Sequence, residues 1–198
     1  MDAWLEIVIR QIILYSLPVI ISLTCISMIE SRLLRHESPH PFHAISWYGT
    51  WLPWIACIIF TRGVIIALPQ PLLPSAKAAF YRCLGHISLC IIGFLLYSWS
   101  LNHKPPTGLP PIHHWWSKVF MYYNLCMACM HLLPLPGQWL GELLLASKFR
   151  APLSKLSGRR QTIAIYTLLA ASPLIDLLLG RPIIYPIYAI LANMAGSL

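Results

Sequence analysis

The chain has 198 residues, of which 58% are hydrophobic and only 10% are charged. With a mean hydropathy of +0.67, this composition excludes an ordinary soluble globular domain. Anionic lipid is the expected counterpart of the net charge of +8, because no feature of the sequence indicates nucleic-acid binding.

Long apolar stretches predict membrane-spanning helices, each of which needs about 20 apolar residues. The first stretch covers residues 11–29, and a polar segment at 30–47 follows it. The next stretch, 48–69, is apolar but is interrupted by Pro53 and by Thr61-Arg62-Gly63. Further spans are predicted at 79–101, at 118–133 continuing past Pro136, and at 161–180, before a short terminal stretch at 182–195. The sequence therefore predicts an all-α, polytopic transmembrane helical bundle in a single integral membrane domain, residues 1–198.

The distribution of basic residues predicts the topology. Residues 148–160 carry five Lys and Arg and no acid, which indicates a cytoplasmic loop. If each span crosses once, residues 103–116 lie outside and residues 70–82 lie inside. A full crossing by residues 48–69 would leave Arg32 and Arg35 outside, against the positive-inside bias. We therefore expect a re-entrant segment at 48–69, with Arg62 near mid-membrane and residues 37 and 70 both on the cytoplasmic side.

Residues 124–145 read NLCMACMHLLPLPGQWLGELLL, an apolar segment with a proline-rich break. This segment resembles a core helix of the site-2 protease (peptidase M50) family of intramembrane zinc metalloproteases, which carries N-L-x-x-A-x-F-N-L-L-P-x-P-P-L-D-G. The residues that match are Asn124, Leu125, Ala128, Leu132, Leu133, Pro134 and Pro136. The second asparagine of the family motif is His131 here, and the zinc-binding aspartate is Trp139. The resemblance implies a degenerate member that lacks the zinc ligands.

Three weaker matches precede this segment in the sequence, and they occur in the same order as in the family. Residues 40–53, HPFHAISWYGTWLP, resemble the family's N-P-L-x-H-I-D-P-x-G-T-x-x-x-P, residues 67–72 resemble its A-K-P-V-P-V strand, and residues 84–86 stand where its third core helix begins. The resemblance implies a site-2-protease-like core at residues 11–145. Residues 146–198 would then add a cytoplasmic basic loop and C-terminal helices.

Zinc-dependent peptide hydrolysis in this family needs H-E-x-x-H on the first core helix. The corresponding span, 11–29, contains no histidine. A literal H-E-x-x-H occurs at 36–40, but Pro39 and Pro41 disfavour the helix that would bring His36 and His40 to one face. The first alternative function is that of an atypical active zinc metalloprotease that uses His36, Glu37 and His40.

Cys126, Cys129 and His131 give a second alternative, a membrane protein that handles a metal or haem. Thiols at i and i+3 share a helix side, and sulfur with imidazole suits copper or zinc. Packing of small buried cysteines is the competing interpretation. His86 is expected either to join this site or to bond a backbone carbonyl.

Other polar residues in or near spans have structural interpretations. Asn124 is expected to form a hydrogen bond between helices, and Asp176 to pair with Arg181 or to reach the interface. Glu142 is expected at the cytoplasmic mouth of the bundle, where it would cap its helix or meet a basic residue.

The favoured function is that of a non-catalytic accessory or assembly subunit of a membrane protein complex, without a cofactor, in a bacterial inner membrane. Its partners would be other integral membrane proteins, bound through transmembrane helix contacts, with anionic lipids at the cytoplasmic face. The expected partner-binding residues are Asn124, His131, Pro134, Pro136 and Trp139. Because the prolines cannot donate, the carbonyls of Leu132 and Leu133 are expected to be exposed, and Trp139 is expected to fill the former metal cavity.

Overall fold

The computed structural model describes residues 3–34, 45–69, 75–103, 109–147 and 157–197, and within these ranges it contains helices but no strand. The α-helices are α1 (Ala3–Leu34), α2 (Leu52–Ile59), α3 (Ala76–Asn102), α4 (Ile112–Met130), α5 (Trp139–Leu145), α6 (Arg159–Ala171) and α7 (Tyr185–Ser197). Two π-helical segments, Trp47–Trp51 and Asp176–Ile184, lead directly into α2 and α7. The all-α prediction is confirmed for these residues. The H-E-x-x-H at residues 36–40 lies outside them.

Within the described ranges, three helices are long and apolar enough to cross a membrane: Ala3–Leu34, Ala76–Asn102 and Asp176–Ser197. The predicted spans 11–29 and 79–101 lie inside the first two and are confirmed as helices. Their outward faces are apolar, as shown by Ile13, Ile91 and Ile190, whose side chains are 55%, 56% and 58% exposed. The interior, by contrast, holds buried histidine, asparagine, arginine and glutamate side chains. Apolar residues outside and polar residues inside are the arrangement that a lipid solvent favours.

Residues 46–69 fold back on themselves, and we call this segment the 46–69 hairpin. Its first arm is helical (the π-helical turn and α2), its tip is residues 60–63, and its second arm, 64–69, is extended and buried. Thirteen helical residues and six extended ones each cover about 20 Å, so the two arms match in length. Thr61 has φ 49° at the tip, and Thr50 Oγ1 donates to Leu68 O at 2.7 Å, which joins the two arms at their base.

The two ends of the bundle are fixed by long-range contacts. Glu30 near the end of α1 pairs with Arg82 near the start of α3, so these helices are antiparallel. The 46–69 hairpin points away from this pair, because Trp4 Nε1 in the first turn of α1 donates to Ile59 O at 3.2 Å. We call the end with Glu30, Arg82 and the start of α6 the break end, and the end with residues 60–63 the tip end. The tip therefore lies beside the first turns of α1, rather than at the mid-depth expected for Arg62.

Two predictions for the C-terminal region are wrong. The predicted span 161–180 is interrupted, because α6 ends at Ala171 and Pro173 forces Ser172 into an extended conformation (φ −89°, ψ 155°). Residues 182–195 are not a separate broken stretch, since Asp176–Ser197 is one continuous helix of 22 residues. Its wide π-helical turns accommodate Pro182, whose missing N–H would interrupt a regular α-helix.

Helices α3 and α4 form the closest packed pair, and a glycine makes this approach possible. A Cβ on Gly93 would lie 2.7 Å from both the N and the Cα atom of Met121. Small residues at helix interfaces permit such close backbone contact within membranes. The predicted span 118–133, continuing past Pro136, is helical only as far as Met130, because α4 covers Ile112–Met130, and α4 is not among the three described helices that are long and apolar enough to cross a membrane.

Candidate functional site

The proline-rich segment breaks the helical path as the sequence predicts. Residues 131–138, which we call the 131–138 break, connect α4 to α5 without regular helix. A backbone bond from Leu140 N–H to His131 O (3.2 Å) spans the break. The carbonyl of Leu133 was expected to be free, but it accepts the Leu135 N–H at 2.8 Å. The break is therefore a folded turn with internal hydrogen bonds.

His131 and Trp139 meet across the break through the backbone. The Nδ1 atom of His131 accepts the Trp139 N–H at 3.1 Å, which leaves the proton of a neutral imidazole on Nε2. The indole ring of Trp139 is half-buried and packs against Phe80 of α3, with the ring centroids 5.5 Å apart. The expectation that Trp139 fills an inner metal cavity is therefore wrong, because its ring lies against α3 at the side of the break.

Asn124 joins three helices in the buried interior. It is 0% exposed, and its Nδ2 donates to Ser22 Oγ of α1 and to Phe120 O, both at 2.8 Å. These two bonds orient the amide, so its Oδ1 accepts from His86 Nδ1 of α3 at 2.9 Å. The predicted hydrogen bond between helices is confirmed. His86 bonds this amide, not the backbone carbonyl that was expected.

A second polar cluster joins α1, α3 and the break. Arg82 is 2% exposed, and its Nη1 lies 2.6 Å from Glu30 Oε1 while its Nη2 donates to Gly137 O at 2.9 Å. The Gly137 N–H in turn donates to Glu142 Oε1 at 2.7 Å. Glu142 thus closes the turn that leads into α5, but it bonds Gly137, which precedes the N-cap residue Gln138, and its carboxylate is buried rather than at an open mouth of the bundle. Arg82 Nε and the nearby Gln138 Oε1 are buried and have no hydrogen-bond partner in the part of the chain that the structure describes.

The described residues do not assemble the metal sites that were considered. No three His, Cys, Asp or Glu side chains among them come together in a way that could hold a metal ion, so the Cys126, Cys129 and His131 alternative lacks a site there. Both cysteines are buried in the packed core. The ring centroids of His86 and His131 are 6.1 Å apart, but each ring already uses its Nδ1 in a protein hydrogen bond.

The five expected partner-binding residues separate into two groups. Asn124, His131 and Pro136 are buried, whereas Pro134 is exposed and Trp139 is half-buried. Only the latter two are available at the surface. The pairing of Arg82 with Glu30 was not predicted, although a charged residue inside an apolar span is itself a signal of an interior partner.

The expected partner of Asp176 is also different. The carboxylate Oδ1 accepts from Tyr185 O–H at 2.6 Å and from Val64 N–H at 2.9 Å, so the predicted pairing with Arg181 is wrong. Asp176 thereby fixes the extended arm of the 46–69 hairpin to the last long helix.

Comparison with known proteins adds no relative: no family model, curated protein or solved structure matches this chain.

Proposed function

We propose that the protein is a non-catalytic, site-2-protease-like membrane protein that binds a transmembrane helix of another integral membrane protein, as an accessory or assembly subunit. The observation that carries this proposal is an exposed apolar surface built on the rigid 131–138 break. We define the break surface as Phe80, Leu132, Pro134, Trp139 and Leu140. The Leu132 side chain is 50% exposed, and the Phe80 and Trp139 rings are in contact.

The architecture beneath the break surface favours binding over hydrolysis. A zinc protease needs free imidazole lone pairs and an open coordination position for water. Here the Nδ1 lone pair of His131 accepts a backbone N–H. Helices α1 and α4 are joined by the hydrogen bond from Asn124 to Ser22. These bonds stabilise a closed interior, and they hold the 131–138 break in one shape.

A transmembrane helix suits this surface better than a soluble partner does. Helices associate in lipid through close packing and hydrogen bonds, since lipid tails are as apolar as leucine side chains. A rigid aromatic pair provides packing area that loses little conformational entropy on binding, because each ring has only two rotatable bonds. Phe80 and Trp139 supply such a pair, and Leu132 and Pro134 extend it along the break.

The membrane orientation is part of the same proposal. With the basic loop 148–160 in the cytoplasm, the break end is cytoplasmic, and the 46–69 hairpin enters the membrane from that side and returns to it. A cavity of about 760 Å³ at this end is lined by Tyr48, Leu52 and the two basic residues Arg159 and Arg160. Anionic lipid headgroups of a bacterial inner membrane would bind there.

Co-purification from native membranes tests the proposed function. We expect Trp139→Ala to lower the yield of the partner by about tenfold, the typical effect of losing an interface anchor. Trp139→Asp should lower it further, because it places a carboxylate in an apolar contact. The matched control is Trp99→Ala, which removes an equally large ring that is 55% exposed on α3 at the tip end.

Equal partner yields for the two Trp139 variants and the wild type, at equal membrane levels, would refute the proposal. Asn124→Ala is not suitable for this test. Its side chain is fully buried, so its replacement would act through the stability of the bundle.

A further inference from the structure

A basic cavity lies at the tip end, far from the break surface. It has a volume of about 540 Å³, within the usual range for ligand pockets of roughly 300–1,000 Å³. Three cationic side chains from three different elements line it: Arg10 of α1, Arg62 of the hairpin tip and Lys118 of α4. None of the described residues that line it is acidic. We propose that this cavity binds a phosphate group, carried either by a membrane lipid headgroup or by a free anion.

The cavity walls hold the cations in place. Arg62 Nη2 donates to Ala171 O at 2.8 Å, which fixes the guanidinium beside the end of α6. Lys118 Nζ lies 5.8 Å from the centre of the Trp115 ring, in a cation–π contact. Neither contact supplies a counter-charge, so the positive charge of both groups remains available to an anion.

Two buried polar atoms belong to side chains that line the cavity and have no hydrogen-bond partner among the described residues. They are Arg62 Nε and the atom assigned as Gln11 Oε1. The guanidinium Nε–H is a donor of the kind that binds a phosphate oxygen. An amide can be turned by 180° without changing its shape, and in that orientation Gln11 also presents an N–H donor. Both atoms are shielded from the cavity, so each side chain would have to rotate before a phosphate oxygen could bind it.

The position of the cavity in the membrane supports the same inference. Basic residues are disfavoured at the end of a bundle opposite its cytoplasmic loops. Three of them line this cavity, and the carboxylate of Asp176, beside Gly63 of the cavity wall, is already bonded to the Val64 N–H and the Tyr185 O–H. Glu6 lies one turn before Arg10 and shares with it an adjacent cavity of about 330 Å³, but Glu6 does not line the cavity that holds Arg62 and Lys118. The outward face of α1 beside the cavity is apolar, with Ile9 and Ile13 exposed, as the acyl chains of a lipid would require.

Thermal unfolding of the purified protein in neutral detergent tests the proposal. Phosphatidylglycerol is compared with diacylglycerol, which lacks the phosphate, and inorganic phosphate with chloride at equal ionic strength. We expect one of the phosphate probes to raise the wild-type Tm by about 5 °C when it is present at roughly 100-fold over its Kd. A shift with phosphatidylglycerol alone identifies a lipid headgroup as the source, and an equal shift with inorganic phosphate identifies a free anion. Either result supports the site.

Variants then locate the effect. Arg10→Gln and Lys118→Gln should each weaken the apparent affinity by about tenfold, the usual result of losing one charge-assisted hydrogen bond. Lys77→Gln is the matched control, because Lys77 Nζ also lies over an aromatic ring, at 5.9 Å from the centre of Tyr81, but near the break end. The proposal would be overturned if neither probe raised the wild-type Tm. It would also be overturned if the shift survived in the Arg10→Gln/Lys118→Gln double variant, since the anion would then bind elsewhere.

Discussion

Replacement of Arg82 by methionine removes the cation from the buried ion pair at the break end. The side chain is 2% exposed, and the bond from its Nη1 to Glu30 Oε1 is 2.6 Å long. Removing one partner of a buried pair costs about 3–5 kcal/mol, because the remaining charge keeps its burial but loses its counter-charge. An exposed pair would contribute only about 0–1 kcal/mol. The burial of Arg82 therefore predicts a loss of stability of roughly 3 kcal/mol or more.

A double-mutant cycle isolates the pair from other effects. Glu30→Leu should destabilise the protein about as much as Arg82→Met, whereas the double variant should be more stable than either single variant by about 3 kcal/mol or more. Reversible unfolding in mixed micelles with increasing dodecyl sulfate, followed by tryptophan fluorescence, measures each free energy. Lys77→Met, an exposed change on the same helix, should alter stability by less than about 0.5 kcal/mol. Strictly additive effects in the cycle, or an Arg82→Met variant as stable as the control, would show that the pair is not coupled as the structure indicates.

Three further predictions test the packing, the topology and the chemistry. Gly93→Ala should destabilise the bundle by about 1–3 kcal/mol, because α3 must move away from α4. Gly196→Ala, in which the new Cβ meets no atom within 4 Å, should be neutral. Equal melting curves for the two variants would refute the close approach of α3 and α4. In a cysteine-free background, Tyr48→Cys and Ser75→Cys should react with an impermeant thiol reagent added on the cytoplasmic side, and Thr61→Cys with the reagent added on the opposite side. If Tyr48→Cys and Ser75→Cys reacted from opposite sides, the 46–69 segment would cross the membrane once instead of returning. The purified protein should hold no stoichiometric zinc by elemental analysis and should cleave no transmembrane peptide, because the Nδ1 atoms of His86 and His131 are engaged in hydrogen bonds. One zinc per chain together with cleavage would favour the H-E-x-x-H alternative at residues 36–40.

Hydropathy and proline positions predict much of the helical framework. The spans 11–29 and 79–101 are predominantly apolar, and both lie within long helices. Pro134 and Pro136 predict the end of α4 because neither residue can donate a backbone hydrogen bond. The same reasoning could have placed the end of α6 before Pro173, but the hydropathy of residues 161–180 stays high across that proline. Average hydropathy does not detect a change of direction.

The interior of the candidate site could not be predicted from local sequence. Asn124 bonds Ser22 and His86, which are 102 and 38 residues away along the chain. Asp176 was expected to bind a residue five positions later, but it binds Val64 and Tyr185. Such pairings depend on how the helices are arranged in three dimensions. The sequence indicates only that each buried polar residue needs a partner.

The most direct test of helix binding is site-specific photo-crosslinking at Trp139 in native membranes. A photoreactive phenylalanine analogue replaces Trp139, or Trp99 as the control, and the products are identified by mass spectrometry after irradiation. The break surface predicts one discrete adduct at position 139 to a transmembrane peptide of another membrane protein, and none at position 99. Lipid adducts alone at position 139, or the same protein adducts at both positions, would contradict the proposal that the break surface binds a partner helix.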